Sequence, residues 1–260
     1  MNRLHVSAVA LMTTGVLYLP AIADDRMASD FLNVQTAETV SQGAMVIGLG
    51  LGGGGSDLKV FRTTLHGNYG LFSGTELRMA AGLYLSAPLP VSQSMASSEP
   101  PNFGLGVKHQ LWQADMFALA VDVFLGGPSL DGVQVGLPFT ARLADSSVTL
   151  QPRVVLPSAL VMFLGTFAGH PALAQVTPAL GLQLGGYWAL SPQWGLMAEI
   201  MPLYQGSIGF ACPVRAGTRI APAPGWQIDV TGGYDPTTYG VAGWYPENLV
   251  PLSVIVRYRL

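Results

Sequence analysis

The chain has 260 residues, 50% of them hydrophobic and only 10% charged, where a soluble domain usually carries about 25% charged residues. A net charge of -3 and the lack of any Lys/Arg run exclude a nucleic-acid-binding surface. With 32 Gly and 19 Pro the chain is unsuited to long helices, and its apolar content is too high for disorder.

Residues 1–23 combine a basic start at Arg3, an apolar region from about Val6 to Leu19, and Ala21-Ile22-Ala23 before Asp24. That is the pattern of a secretory signal peptide, so the mature chain is expected to begin near Asp24. Residues 24–43 then form an N-terminal periplasmic segment. Beyond the signal no run of 18 or more apolar residues occurs, which leaves no spanning helix. Cys212 is alone, so neither an internal disulfide nor a thiolate metal cluster is available.

From residue 44 onward one pattern recurs, apolar and small or polar residues in strict alternation, the period of a strand with two different faces. AMVIGLGLG sets Met45, Ile47, Leu49 and Leu51 against glycines. In KVFRTTLHGNYGLF, Phe61, Leu65 and Tyr69 oppose Arg62, His66 and Asn68. TELRMAAGLYLS opposes Leu77 and Met79 to Glu76 and Arg78, and NFGLGVKHQLW opposes Leu105 and Val107 to Gly106 and Lys108. Next, MFALAVDVFLG places Val121 and Val123 opposite Ala120 and Asp122. VQVGLPFTARL carries Arg142 on its poorer face, and the following run carries Gln151 and Arg153 there. TPALGLQLGGYWAL alternates leucines with Gly181, Gln183 and Gly185, and WGLMAEIMPLY opposes Leu196 and Ile200 to Met197 and Glu199. The closing PLSVIVRYRL puts Leu252, Val254 and Tyr258 on one face and Arg257 and Arg259 on the other.

The charges decide what these faces meet. Arg62, Glu76, Arg78, Lys108, Asp122, Arg142, Arg153, Glu199, Arg257 and Arg259 all fall on the face of Gly, Ala and Gln. A soluble sandwich would crowd its outward face with Lys, Glu, Ser and Thr. Here the apolar face is nearly unbroken and the other holds about one charge per strand. This is the distribution of a transmembrane barrel, with lipid outside and a small-residue polar interior. Tyr69, Trp188, Trp194, Tyr204 and Tyr258 lie near segment ends, as interfacial girdles require.

The reading is therefore all-β, an antiparallel up-and-down barrel over residues 44–260 whose short turns alternate with longer external connections. Ten strands are favoured, with 205–248 as one long external segment, and twelve follow if WQIDVTGGY and YGVAGWY add a hairpin there. VMFLG near Val161 is a further ambiguous run.

No motif points to catalysis. MVIGLGLGGGGSD is followed by another strand, not the helix a dinucleotide loop needs. The histidines His5, His66, His109 and His170 show no metal-ligand spacing, so no cofactor, metal or enzymatic activity is expected. The ten charges above are the lumen-lining candidates. Seven basic residues outnumber three acids among them, which would favour anions in a continuous water path.

The signal peptide, the alternating strands and a last strand with Tyr258 near its end resemble the porin-like barrels of the Gram-negative outer membrane. The likeness rests on pattern over nearly the whole mature chain, and Leu260 stands where that class commonly closes on an aromatic. It implies an outer-membrane location, contact with outer-membrane lipid and insertion by the barrel-assembly machinery. Two functions are expected. One is a narrow channel for small polar or anionic solutes. The other is a non-conducting structural barrel anchoring a multiprotein envelope complex, with partners met through external loops or the periplasmic N-terminus.

Overall fold

In a computed structural model the described residues are 36–54, 60–86, 102–127, 132–157, 179–205, 209–234 and 252–260. The signal segment, residues 24–35, YGVAGWY and VMFLG lie outside them.

Among the described residues fifteen strands run in chain order: β1 (Met45–Gly54), β2 (Val60–Phe72), β3 (Thr75–Ser86), β4 (Asn102–Gln113), β5 (Phe117–Gly127), β6 (Gly132–Gly136), β7 (Phe139–Leu143), β8 (Ser146–Pro157), β9 (Ala179–Ser191), β10 (Trp194–Ile200), β11 (Leu203–Gln205), β12 (Gly209–Ala211), β13 (Val214–Ile220), β14 (Trp226–Tyr234) and β15 (Leu252–Arg259). Each pairs antiparallel with its neighbour, and β15 returns to pair with β1, from Val46 opposite Arg259 to Gly53 opposite Leu252.

Three walls are interrupted. β6 and β7 both lie between β5 and β8, β10 and β11 both lie on β9, and β11 and β10 pair in turn with β12 and β13. Taking each interrupted pair as one stave gives a closed ring of twelve, the larger of the two even numbers the sequence allows. Closure is required because an unpaired backbone group in hydrocarbon costs several kcal/mol.

Prolines make the interruptions. Pro138, Pro202 and Pro213 each lack a backbone donor, which removes one ladder bond. Their carbonyls still accept, from Ala120 at 3.0 Å, Leu182 at 3.0 Å and Met201 at 2.9 Å, so the wall bends without opening.

Tight turns join β2 to β3, β4 to β5, β7 to β8, β9 to β10 and β13 to β14, and all lie at one end of the barrel together with Met45 and Leu260. This end is the short-turn rim. Ser73 and Gly74 make one of three two-residue connections, and Gly74 has φ 73°, a conformation glycine adopts without steric cost.

Burial is inverted relative to a soluble fold. Leu105, Leu182, Leu184, Leu196 and Val254 are exposed, while Glu76, Lys108, Asp122, Gln134, Gln151 and Asp229 are 0% exposed. Along β10 the sequence alternates exposed Trp194, Leu196 and Ile200 with buried Gly195, Met197 and Glu199. Contiguous apolar surface of this extent is not tolerated in water and matches a lipid-facing belt. Exposed aromatics collect near the short-turn rim: Tyr69, Trp112, Phe117, Trp188, Trp194, Trp226 and Tyr258. Phe117 stacks on Phe139 with centroids 5.7 Å apart, Trp226 lies 4.7 Å from Tyr258, and the Trp194 indole N–H donates to Thr218 Oγ1. The five aromatics that the sequence assigns to the girdles are all exposed.

Candidate functional site

The lumen is built from the inward positions, and its charges gather in the part next to the short-turn rim. On one wall the registers place Glu76 opposite Lys108 and Lys108 opposite Asp122, across β3, β4 and β5. Directly opposed side chains on neighbouring strands lie within reach of each other. Lys108 Nζ stands 3.1 Å from Glu76 Oε1, and Arg78 Nη1 donates to Asp122 Oδ1 at 2.5 Å. The Arg78 guanidinium carbon lies 5.3 Å from the centroid of Phe124. Phe124 in turn lies against Gly104, Gly106 and Gly126, where any side chain would collide with its ring. The glycines thus let a large ring lie flat on the wall beneath the arginine.

A second cluster repeats this arrangement on β13, β14 and β15. Arg219 stands opposite Asp229, and Gln227 opposite Arg257. Asp229 accepts from Arg219 Nε at 2.8 Å, from Arg219 Nη2 at 3.0 Å, from Gln227 Nε2 at 3.1 Å and from Arg257 Nη1. Arg219 lies over Tyr187 at 5.4 Å, and Tyr187 rests on Gly195. Beside this cluster, Arg215 is set directly across the ladder from Glu199.

A third component comes from before the first strand. Residues 36–43 run inside the mouth of the barrel, with Thr36 and Ala37 0% exposed and Val40 3%. Ala37 donates its backbone N–H to Thr140 Oγ1 at 2.8 Å, and Val40 donates to Glu76 Oε2 at 2.8 Å. Gln110 Nε2 donates to the Ala37 carbonyl at 3.3 Å, while Arg142 Nε meets Glu38 Oε1 at 2.5 Å. Ala37 packs on Ala118 and Ala120. Ser41 takes a 3.1 Å hydrogen bond from Arg259.

Of the ten charges singled out in the sequence, Glu76, Arg78, Lys108 and Asp122 are brought together on one wall. Arg257 joins the second cluster, Glu199 faces Arg215, and Arg142 and Arg259 hold the N-terminal segment. Arg153 is half-buried on β8 opposite Gly136. Arg62 occupies the β2 position opposite Gly52 and Tyr84.

Sequence reading missed Arg215, Arg219 and Asp229, because 205–248 read as one connection. The signal was present: VRAGTRI alternates Arg215, Gly217 and Arg219 with Val214, Ala216, Thr218 and Ile220. Pro213 before it and APAPG after it mask so short a run. Glu38 was missed because nothing in residues 24–43 alternates.

Among the described residues, the buried or half-buried charges are Arg78, Lys108, Arg142, Arg153, Arg215, Arg219, Arg257 and Arg259 against Glu38, Glu76, Asp122, Glu199 and Asp229. The excess is basic although the whole chain is acidic. Paired guanidinium groups backed by aromatic rings can hold carboxylates or other planar anions through charge-assisted hydrogen bonds.

No family model and no curated protein sequence matches the chain. Solved structures do. The KdgM porin superposes with a TM-score of 0.54 at 10% identity, covering 83% of this chain and 98% of its own. The NanC porin gives 0.55 at 9% identity over 82% and 97%. A KdgM porin in complex with disordered oligogalacturonate gives 0.51 at 10% identity over 83% and 96%. At such identities the likeness is one of fold. With its exposed apolar outer surface and its closed antiparallel wall, the chain has the fold of these porin β-barrels.

Proposed function

We propose that the barrel is a narrow channel for small polar or anionic solutes, with its constriction in the charged part of the lumen beside the short-turn rim. The observation that carries this reading is the basic excess among the lumen side chains. In a low-dielectric tube an uncompensated positive field concentrates anions and repels cations. The likeness to a porin solved with an oligogalacturonate supports an acidic solute. By the usual build of such barrels the short-turn rim is periplasmic and the long connections are external.

Reversal potentials of the purified protein in planar bilayers, measured under a salt gradient, test the reading. Anion preference is expected, and it should weaken when Arg215 and Arg219 are both replaced by Gln. Cation preference in the unmodified protein would refute it.

A second reading, a non-conducting barrel that anchors an envelope complex, is favoured by the close packing of the same region, where Glu76, Lys108, Asp122 and Asp229 are 0% exposed. The absence of any conductance from the unmodified protein and from every variant, with the protein folded in the bilayer, would select it.

A further inference from the structure

We propose that residues 36–43 are a displaceable plug, closing the short-turn mouth at rest and leaving it when the channel opens. The inference deepens the channel reading and rests on it.

The path of the segment comes first. It leaves the wall at Met45 on β1 and reaches Thr140 and Arg142 on β7, five staves away in the ring of twelve. A ring of twelve strands, ~4.8 Å apart and tilted by ~40°, is about 24 Å across between backbones. Eight residues at ~3.3 Å each reach about as far. The segment is therefore long enough to cross the mouth. On the way it touches β2 at Gly70, β3 at Glu76, β4 at Gln110 and β5 at Ala118 and Ala120.

Its attachment is the second observation. A strand of the wall is held by a continuous ladder, whereas this segment shares one isolated bridge with the sheet, Gln42 to Gly70. Beside that bridge, Gly43 donates to the Gly70 carbonyl at 2.8 Å, two backbone N–H groups bond to side chains, Gln110 and Arg259 donate to the Ala37 carbonyl and to Ser41, and the small side chain of Ala37 packs on two others. Its ion pair, Glu38 with Arg142, is 13% and 23% exposed, so water reaches one edge of it. The contacts seat the segment in one place without a continuous ladder, which is what lets it leave. Glu38 also brings a carboxylate into a basic lumen, the position an anionic solute would contest.

The test is a reversible lock. Ala37→Cys with Ala118→Cys, in a Cys212→Ser background, places two thiols where the seated segment packs on β5. Folding is checked first by the gel mobility of unboiled samples, and conductance is then recorded oxidised and reduced. The plug requires a nearly silent oxidised form and a several-fold higher open fraction after reduction. A separate variant, Glu38→Gln with Arg142→Gln, should raise the open fraction several-fold without any cysteine.

Equal conductance in oxidised and reduced forms would show that the segment is fixed lining, and the proposal fails while the channel reading stands. Failure of the disulfide to form in folded protein would overturn the seat itself. Silence in every form, the Glu38/Arg142 variant included, would remove the channel reading and the plug with it.

Discussion

Asp229 tests whether the lumen charges staple the wall or merely line it. It is 0% exposed and accepts from Arg219 at 2.8 and 3.0 Å and from Arg257. Asp229→Asn preserves the shape. One amide oxygen still accepts from Arg219, but the amide nitrogen now faces donors and two guanidinium groups lose their counter-charge. A hydrogen bond to a charged group nets about 1.5–3 kcal/mol, and removing one partner of a buried ion pair costs about 3–5 kcal/mol. The lost bonds and the uncompensated charge overlap, so a destabilisation of about 3–5 kcal/mol is expected. The assay is the folded fraction, read from gel mobility of unboiled samples across a urea titration in detergent micelles. Combining Asp229→Asn with Arg257→Gln removes one charge of each sign and should be less damaging than Asp229→Asn alone. If Asp229→Asn unfolds within about 1 kcal/mol of the unmodified protein, lumen water replaces the carboxylate at no cost and the stapling argument is wrong.

Leu184 faces outward and is 42% exposed, so Leu184→Arg puts a charge into lipid and should cost about 2–4 kcal/mol if the side chain lies near the bilayer midplane. Gln183→Arg, one residue away but inward, should cost far less, and urea titration in liposomes compares the two. At Gly106 a methyl group would lie 2.6 Å from the Val123 carbonyl oxygen and 2.6 Å from Phe124 Cδ2, so Gly106→Ala should lose about 1–3 kcal/mol through overpacking. Gly67→Ala, whose methyl would meet nothing nearer than 3.9 Å, should leave the urea midpoint unchanged or raise it.

The barrel was legible because its rule is one-dimensional. Alternation assigns each residue to lipid or lumen without any knowledge of its neighbours, and so Glu76, Lys108, Asp122 and Glu199 could be placed inward from the sequence alone. What alternation cannot supply is register. That Lys108 meets both Glu76 and Asp122, or that Asp229 stands between Arg219 and Arg257, depends on how far each strand is staggered against the next. The strand count was less legible for a different reason. Pro213 and the proline-rich turn before Trp226 cut the signal of β12, β13 and β14 into runs too short to stand out, although the backbone carries the wall past Pro213. The N-terminal segment was the least legible part, since its place is fixed by contacts to six other strands and by no periodicity of its own.

The glycines tie these observations together. A lumen ringed by arginine, lysine, phenylalanine and tyrosine would fill itself if each side chain stood upright. Phe124 lies down on Gly104, Gly106 and Gly126, Tyr187 on Gly195, and His66 on Gly48, so each ring is absorbed into the thickness of the wall. Arg78 and Arg219 then rest on two of those rings, each paired with a carboxylate on its own side. On the β1–β7 side the remaining space is taken by residues 36–43, through separate contacts. The wall is therefore built to keep its own side chains flat, and among the described residues the segment at the mouth is held to it by an isolated bridge, not by a ladder. If the barrel conducts, displacing that segment is the step the architecture makes easiest.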